Sequence, residues 1–224
     1  MERIIRELGA ALRRGATVAM VLPDHPHPGR AFTDAGLARL REEAPEAVKQ
    51  ERIQAFCLAT STTIDGEAHY RSIYVHAKVA IVDDRWSTVG SANLNNRGMR
   101  DDAEMNVAVL DAEQARGLRL LLWAEHLGLM SKDDLLPAAH HLGHQRQRSS
   151  VDERAAALLQ RLHEQLGNPL IGLHMMIECA QDNLRRYKAK QLLVGHLLPY
   201  LTAEEAKQQG LHVREAHGWV EVAE

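Results

Sequence analysis

Residues 76–93 hold a set of side chains suited by type and spacing to chemistry at phosphorus. His76-Ala77-Lys78 is followed after four residues by Asp83, and after six more by Gly90-Ser91-Ala92-Asn93. A histidine can attack phosphorus as a neutral imidazole, or protonate a leaving oxygen. A lysine ammonium sets fixed positive charge against phosphate oxygens that gain charge in the transition state. Gly90 lets the backbone come close, while the Ser91 hydroxyl and the Asn93 amide supply neutral donors. Together these residues describe a phosphate cradle that needs no metal and no other cofactor. The imidazole also requires an acceptor on its second nitrogen to fix its tautomer.

The elements that must position this set follow from periodicity. Alternation of Val75, Ala77, Val79 and Ile81 with Tyr74, His76, Lys78 and Ala80 predicts one strand over 73–82. On such a strand His76 and Lys78 face the same side, roughly 7 Å apart. Asp83 falls off that face by parity and is read as structural, anchoring the turn that follows. Upstream, Ile4, Ile5, Leu8 and Leu12 predict a helix over 2–14 with Gly15 as its C-cap. A strand is expected over 17–22, a Pro-rich loop over 23–29, a helix over 33–43 capped by Thr33 or Asp34, and a strand over 52–59. Downstream, strands are expected over 86–90 and 104–110, and a helix from Asp111 to about residue 126. Residues 131–152 are polar, rich in histidine and contain Pro137, and read as a linker. Helices over 152–166 and 170–189 follow, then a short apolar piece over 197–201. This order indicates an α/β domain, an α/β/α layered sandwich with a mixed sheet, plus a helical C-terminal extension. The expected division is a catalytic half over 1–129 and a linker with helical extension over 130–224.

The spacing HxKx4Dx6GSxN resembles the signature of the phospholipase D superfamily. The flanking words Ile73-Tyr74-Val75, Val82-Asp83-Asp84-Arg85-Trp86 and Leu94-Asn95-Asn96-Arg97 extend the likeness. It looks closest to the C-terminal halves of two-motif phospholipases D and cardiolipin synthase-like proteins. The resemblance implies a phosphodiesterase or phosphatidyltransferase acting on phospholipid headgroup diesters. In this family one histidine becomes a covalent phosphohistidine and an opposed one protonates the leaving alcohol. His76 matches the second histidine, commonly assigned as the acid, and Glu104 matches the acidic residue that orients it, with Asp102 as the rival. The catalytic set is therefore His76, Lys78 and Glu104, with Ser91, Asn93 and Lys78 on the phosphate and Asp83 and Gly90 as structural members of the motif.

A single motif leaves the pair of histidines incomplete. The chain begins with a helix that feeds a strand, as though entering a domain under way, and shows no internal repeat. The expected partner is a separate N-terminal half carrying the second motif, or a second copy across a two-fold axis. The alternatives to lipid chemistry are a homodimeric single-motif nuclease and a non-catalytic truncated half.

Bulk properties narrow the classes further. A formal charge of −3 and a pI near 6.5 provide no global basic field, which argues against a dedicated nucleic-acid partner. No run reaches the roughly 18 apolar residues that span a bilayer, and the amphipathic start lacks a signal-peptide core. A cytoplasmic or peripheral membrane location is expected. Cys57 and Cys179 read as buried core thiols. His25 and His27 read as parts of a solvated loop, and His140, His141 and His144 as linker residues rather than metal ligands. Trp123, Met175 and Met176 read as helix core. Arg185, Arg186, Lys188 and Lys190 read as a solvated helix end, where cations suit the dipole.

Overall fold

The computed structural model describes residues 2–24, 29–144, 153–214 and 218–220. The histidines at 25 and 27 lie outside the described residues, as does the side chain of His144. The chain divides into two units, one formed by residues 1–76 with 177–224 and the other by 77–176. The boundary expected between residues 129 and 130 falls inside the second unit. The fold is α/β as expected, with a mixed sheet in the first unit and a second, antiparallel sheet in the other.

The first unit is built on the long strand β2 (Ile53–Ile64). β1 (Val18–Val21) pairs with it in parallel, while β3 (Glu67–Ile73) and β7 (Leu197–Pro199) pair antiparallel. Ile53, Ala55, Phe56, Cys57, Leu58 and Ala59 are buried, and the strand turns outward after them. There it forms a hairpin with β3, in which Asp65 and Gly66 take the left-handed conformations of a two-residue turn. Apolar residues of α1 (Glu2–Arg13) and α2 (Gly29–Glu43), with Ala47 of α3 (Pro45–Lys49), join this core. α2 begins earlier than predicted. Thr33 Oγ1 donates back to Gly29 O at 3.1 Å inside the helix, and Asp34 accepts from Tyr200 Oη at 2.8 Å, so neither caps it. Beside them Asp24, fully buried, accepts from Arg30 Nη1 at 2.6 Å and from the backbone N–H groups of Trp219 and Val220 at 2.9 and 3.3 Å. A buried carboxylate of this kind persists because both of its oxygens are hydrogen-bonded and its charge is paired.

The second unit carries the antiparallel sheet β4 (Lys78–Val82), β5 (Trp86–Gly90) and β6 (Asn106–Leu110). The predicted strand over 73–82 is therefore broken. β3 ends at Ile73 with β2 as its partner, β4 starts at Lys78 with β5, and 74–77 have no ladder. Alternation alone does not make a strand where no neighbour accepts its hydrogen bonds. α4 (Ala112–Leu127) is capped by Asp111, whose carboxylate accepts from Glu113 N and Gln114 N, and ends at left-handed Gly128. Residues 132–144, expected as linker, form α5 (Lys132–His144), with Ala138 and Leu142 as its buried stripe. Leu142 sits on Gly117 of α4, where an added Cβ would lie 2.3 Å from Leu142 Cδ1. α6 (Glu153–Leu166) and the start of α7 (Pro169–Lys188) complete the unit, and Trp123 packs against Gly172. α7 runs on into the first unit and is followed there by β7 and α8 (Ala203–Gln208). Cys57 and Met176 are fully buried, whereas Cys179 and Met175 are only half-buried. Among the described residues no helix is long and apolar enough to cross a membrane.

Candidate active site

The motif straddles the two units, with His76 the last residue of the first and Lys78 the second residue of the other. His76 is exposed, in the irregular stretch after β3, and its ring stacks on Tyr74 with centroids 5.5 Å apart and planes at 24°. This departs from the predicted strand position.

In the second unit the motif residues gather by strand register. Lys78 pairs directly with Gly90, and Gly90 with Asn106, so the three form one row across the sheet. Directly opposed residues share a face, which places Lys78 and Asn106 on the same side with the bare Gly90 backbone between them. The next row on that face is Ala80, Thr88 and Ala108, all small. The result is a shallow floor with a cation at its edge.

Gly90 is required by the crowding at this point, since a Cβ there would come within 2.2 Å of Asn106 Oδ1 and 2.3 Å of Met105 O. Ser91 continues the junction. Its N–H donates to Met105 O at 3.0 Å, and its Oγ accepts from Met105 N at 3.1 Å and donates to Met105 O at 3.4 Å. Asn106 Oδ1 accepts from Ala92 N at 3.1 Å. In this arrangement Ser91 and Asn106 brace the backbone that leads to Asn93. The long 3.4 Å bond is the one the hydroxyl can most readily exchange for another acceptor.

Asn93 is exposed, at the start of a compact loop. Its carbonyl accepts from Asn95 N at 2.8 Å, and Gly98 packs so closely that a Cβ would lie 2.7 Å from Asn93 O. Asn95 Oδ1 accepts from Gly98 N at 2.7 Å, and a single π-helical turn, Arg97–Asp101, follows. Such turns are rare and recur at functional sites. Asp102, the rival orienting acid, accepts from Arg97 Nε at 2.8 Å, and this bond, with Asp101 and Glu104 nearby, pushes the guanidinium pKa further up. Glu104 is half-buried, two residues before β6.

Asp83 sits exposed in the β4–β5 turn, where it and Asp84 both take left-handed φ values of 53° and 52° and Arg85 N donates to Val82 O. Its buried neighbour Asp84 has the larger structural part. Arg119 grips it through Nε at 2.6 Å and Nη2 at 2.7 Å while donating to Leu166 O at 2.9 Å, with Trp123 stacked at 4.7 Å. Sequence reasoning missed both Asp84 and Asn106. The signal for Asn106 was a polar residue opening the apolar run Val107-Ala108-Val109-Leu110. A cavity of about 520 Å³ opens between α4, α5 and α6, but no motif residue lines it. Among the described residues no cluster of histidines, cysteines and acids has the arrangement of a metal site.

Residues 1–122 match the family model described as cardiolipin synthase, PLD-like domain. The chain is 33% identical over 116 residues to phospholipase D A of Dictyostelium discoideum, covering 44% of this chain and 9% of that protein. It is 39% identical over 82 residues to phospholipase D zeta 1 of Arabidopsis thaliana, covering 29% and 8%, respectively. Against phospholipase D alpha 1 of Nicotiana tabacum the identity is 40% over 83 residues, covering 32% and 10%. The matched segments thus span a tenth or less of these relatives. With more than half of its length matched to the family model, the chain belongs to the phospholipase D-like family.

Proposed function

We propose that this chain supplies one half-site of a phospholipase D-type phosphodiesterase acting on phospholipid headgroup diesters, by hydrolysis or by transfer to an alcohol. The observation that carries the reading is the row Lys78–Gly90–Asn106, with Ser91 and Asn93 leading from its end, in register with the motif's spacing. Lys78 and the Asn93 amide hold the phosphate oxygens, with the Ser91 hydroxyl as a further donor. The close backbone at Gly90 leaves room for them. His76, oriented by Glu104, passes its proton to the leaving alcohol oxygen as the P–O bond breaks. An opposed histidine takes the phosphoryl group, and water or an alcohol releases it. That second histidine comes from a separate N-terminal half or from a second copy of the chain. General-acid help is worth about 10²–10⁴-fold, and loss of the nucleophile costs more, so the isolated half-site turns over poorly.

The test is headgroup release from phosphatidylcholine or phosphatidylglycerol, with and without a co-expressed N-terminal half, by wild type and by His76→Asn, Lys78→Ala and Lys78→Arg. His76→Asn and Lys78→Ala should abolish release with the circular dichroism spectrum unchanged. Lys78→Arg should rescue only in part, because a planar guanidinium alters the geometry. Retained release in His76→Asn, or loss of release in millimolar chelator that zinc restores, overturns the reading.

A further inference from the structure

Asn106 is an unusual residue to find in the row that carries Lys78. It opens β6 and is exposed to solvent, and asparagine is disfavoured in strands. Its carboxamide does not stand over its own strand but reaches across to the neighbouring one. A Cβ built on Gly90 would come within 2.2 Å of Asn106 Oδ1 and 2.5 Å of Asn106 Cγ, so the amide fills the place where a side chain of β5 would be. Lys78 is the next residue along the row, one strand spacing of about 5 Å beyond Gly90. Asn106 Oδ1 accepts from Ala92 N at 3.1 Å. The carboxamide is planar, so holding Oδ1 also fixes Nδ2. Among the described residues Nδ2 has no protein acceptor.

Bracing Ala92 accounts for the oxygen of this side chain but not for the nitrogen. An aspartate carboxylate would accept from the same N–H at least as strongly. What the amide adds is a pair of N–H donors without negative charge, on the face that Asn106 shares with Lys78. The next row on that face, Ala80, Thr88 and Ala108, is small, and the Thr88 hydroxyl is spent on Val107 O at 2.9 Å. A ligand resting over the bare Gly90 backbone therefore meets a cation on one side and a fixed neutral donor on the other. We infer that Asn106 is a further phosphate ligand of the half-site, with Nδ2 donating to a non-bridging oxygen of the phosphodiester over Gly90, on the side away from Lys78. The inference rests on the reading of this row as a phosphate site and adds to it a residue outside the motif's spacing.

The test is a titration of the full chain with inorganic phosphate, followed by nitrogen–proton NMR, and it needs no turnover. In wild type the Asn106 Nδ2 protons should shift along the same saturation curve as the backbone amides of Ser91 and Asn93. Asn106→Asp keeps an acceptor for Ala92 N, so exchange of the Ala92 amide should stay at the wild-type rate, while phosphate binding weakens on the order of 10- to 100-fold. Ala108→Asp sets the same charge one row further along the face, about 7 Å away, and should weaken binding by no more than about threefold at physiological ionic strength. Lys78→Ala should weaken binding at least as much as Asn106→Asp. Nδ2 protons unmoved at saturation, wild-type affinity in Asn106→Asp, or equal losses in Asn106→Asp and Ala108→Asp overturn the inference and leave the half-site standing. Equal binding by wild type and Lys78→Ala, or no binding by either, overturns the reading of the row as a phosphate site and this inference with it.

Discussion

Replacing Gly90 by alanine tests how tightly the floor of the half-site is built. The new Cβ would stand 2.2 Å from Asn106 Oδ1, 2.5 Å from Asn106 Cγ and 2.3 Å from Met105 O. The Asn106 amide can swing aside, but only by giving up its bond to Ala92 N. Met105 O is backbone and is tied to Ser91 N, so the strand itself must move. Overpacking costs about 1–3 kcal/mol and the lost hydrogen bond about 1 kcal/mol, against a gain of about 0.4–1 kcal/mol from the stiffer unfolded chain. The net expectation is a loss of about 1–3.5 kcal/mol. Gly36→Ala is the control, because nothing lies within 4 Å of its Cβ position inside α2, and it should stabilise by about 0.5–1 kcal/mol. Urea unfolding gives the size of the effect, and hydrogen exchange at the Ser91 and Met105 amides gives its place. Adding Asn106→Ala to Gly90→Ala should recover only part of the loss, since Met105 O remains. A Gly90→Ala protein within about 0.5 kcal/mol of wild type, the range of ordinary surface changes, would refute the close approach.

Arg119→Met strips Asp84 of two short bonds and leaves, among the described residues, Arg116 at 3.8 Å, so unfolding should cost about 3–5 kcal/mol less than for wild type; Asp84→Asn in the same protein should restore part of it. A single-variant loss below about 1 kcal/mol would show that the pair is solvated. Burial pushes the Cys57 thiol well up and the half-buried Cys179 thiol up as well. Iodoacetamide at mildly alkaline pH should therefore leave Cys57 unmodified in the native protein and label Cys179 more slowly than in urea, as read by peptide mass. Specific activity should rise with protein concentration if two copies complete the site. If a separate half completes it, activity should stay flat and low until that half is added, and light scattering on the same samples distinguishes these outcomes.

The elements with strong local signals were legible in the sequence. Asp111 before an apolar helix, and left-handed Gly15 just past another, have conformational requirements that a single residue expresses. The break between β3 and β4 was not legible. Residues 73–82 alternate throughout, yet what ends a strand here is a change of hydrogen-bonding neighbour, from β2 to β5, and that is a property of distant segments. α5 was hidden for a related reason. Its polar, proline-bearing composition reads as linker, and its buried stripe among the described residues is Ala138 and Leu142, which acquires meaning once Gly117 offers a gap to fill. The motif's spacing was visible, but not the residues that carry its weight. Asp84, beside the motif aspartate, and Asn106, sixteen positions beyond Gly90, act through partners that no local pattern announces.

The pairing of β2 has a consequence for how the chain folds. Its neighbours β1 and β3 are close in sequence, but the bond between Cys57 Sγ and Pro199 O joins residues 142 positions apart. The hairpin with β3 can form within microseconds, while the β7 edge must wait for a long closure. During synthesis, residues 77–176 emerge whole before Leu197 exists, and as a contiguous unit they can condense first. A condensed insert shortens the effective loop that the last strand has to close, which lowers the entropy cost of seating it. Until that moment the apolar stretch Phe56-Cys57-Leu58 presents an open edge, and the nascent protein is most exposed to aggregation in the interval between the completion of α6 and the arrival of β7.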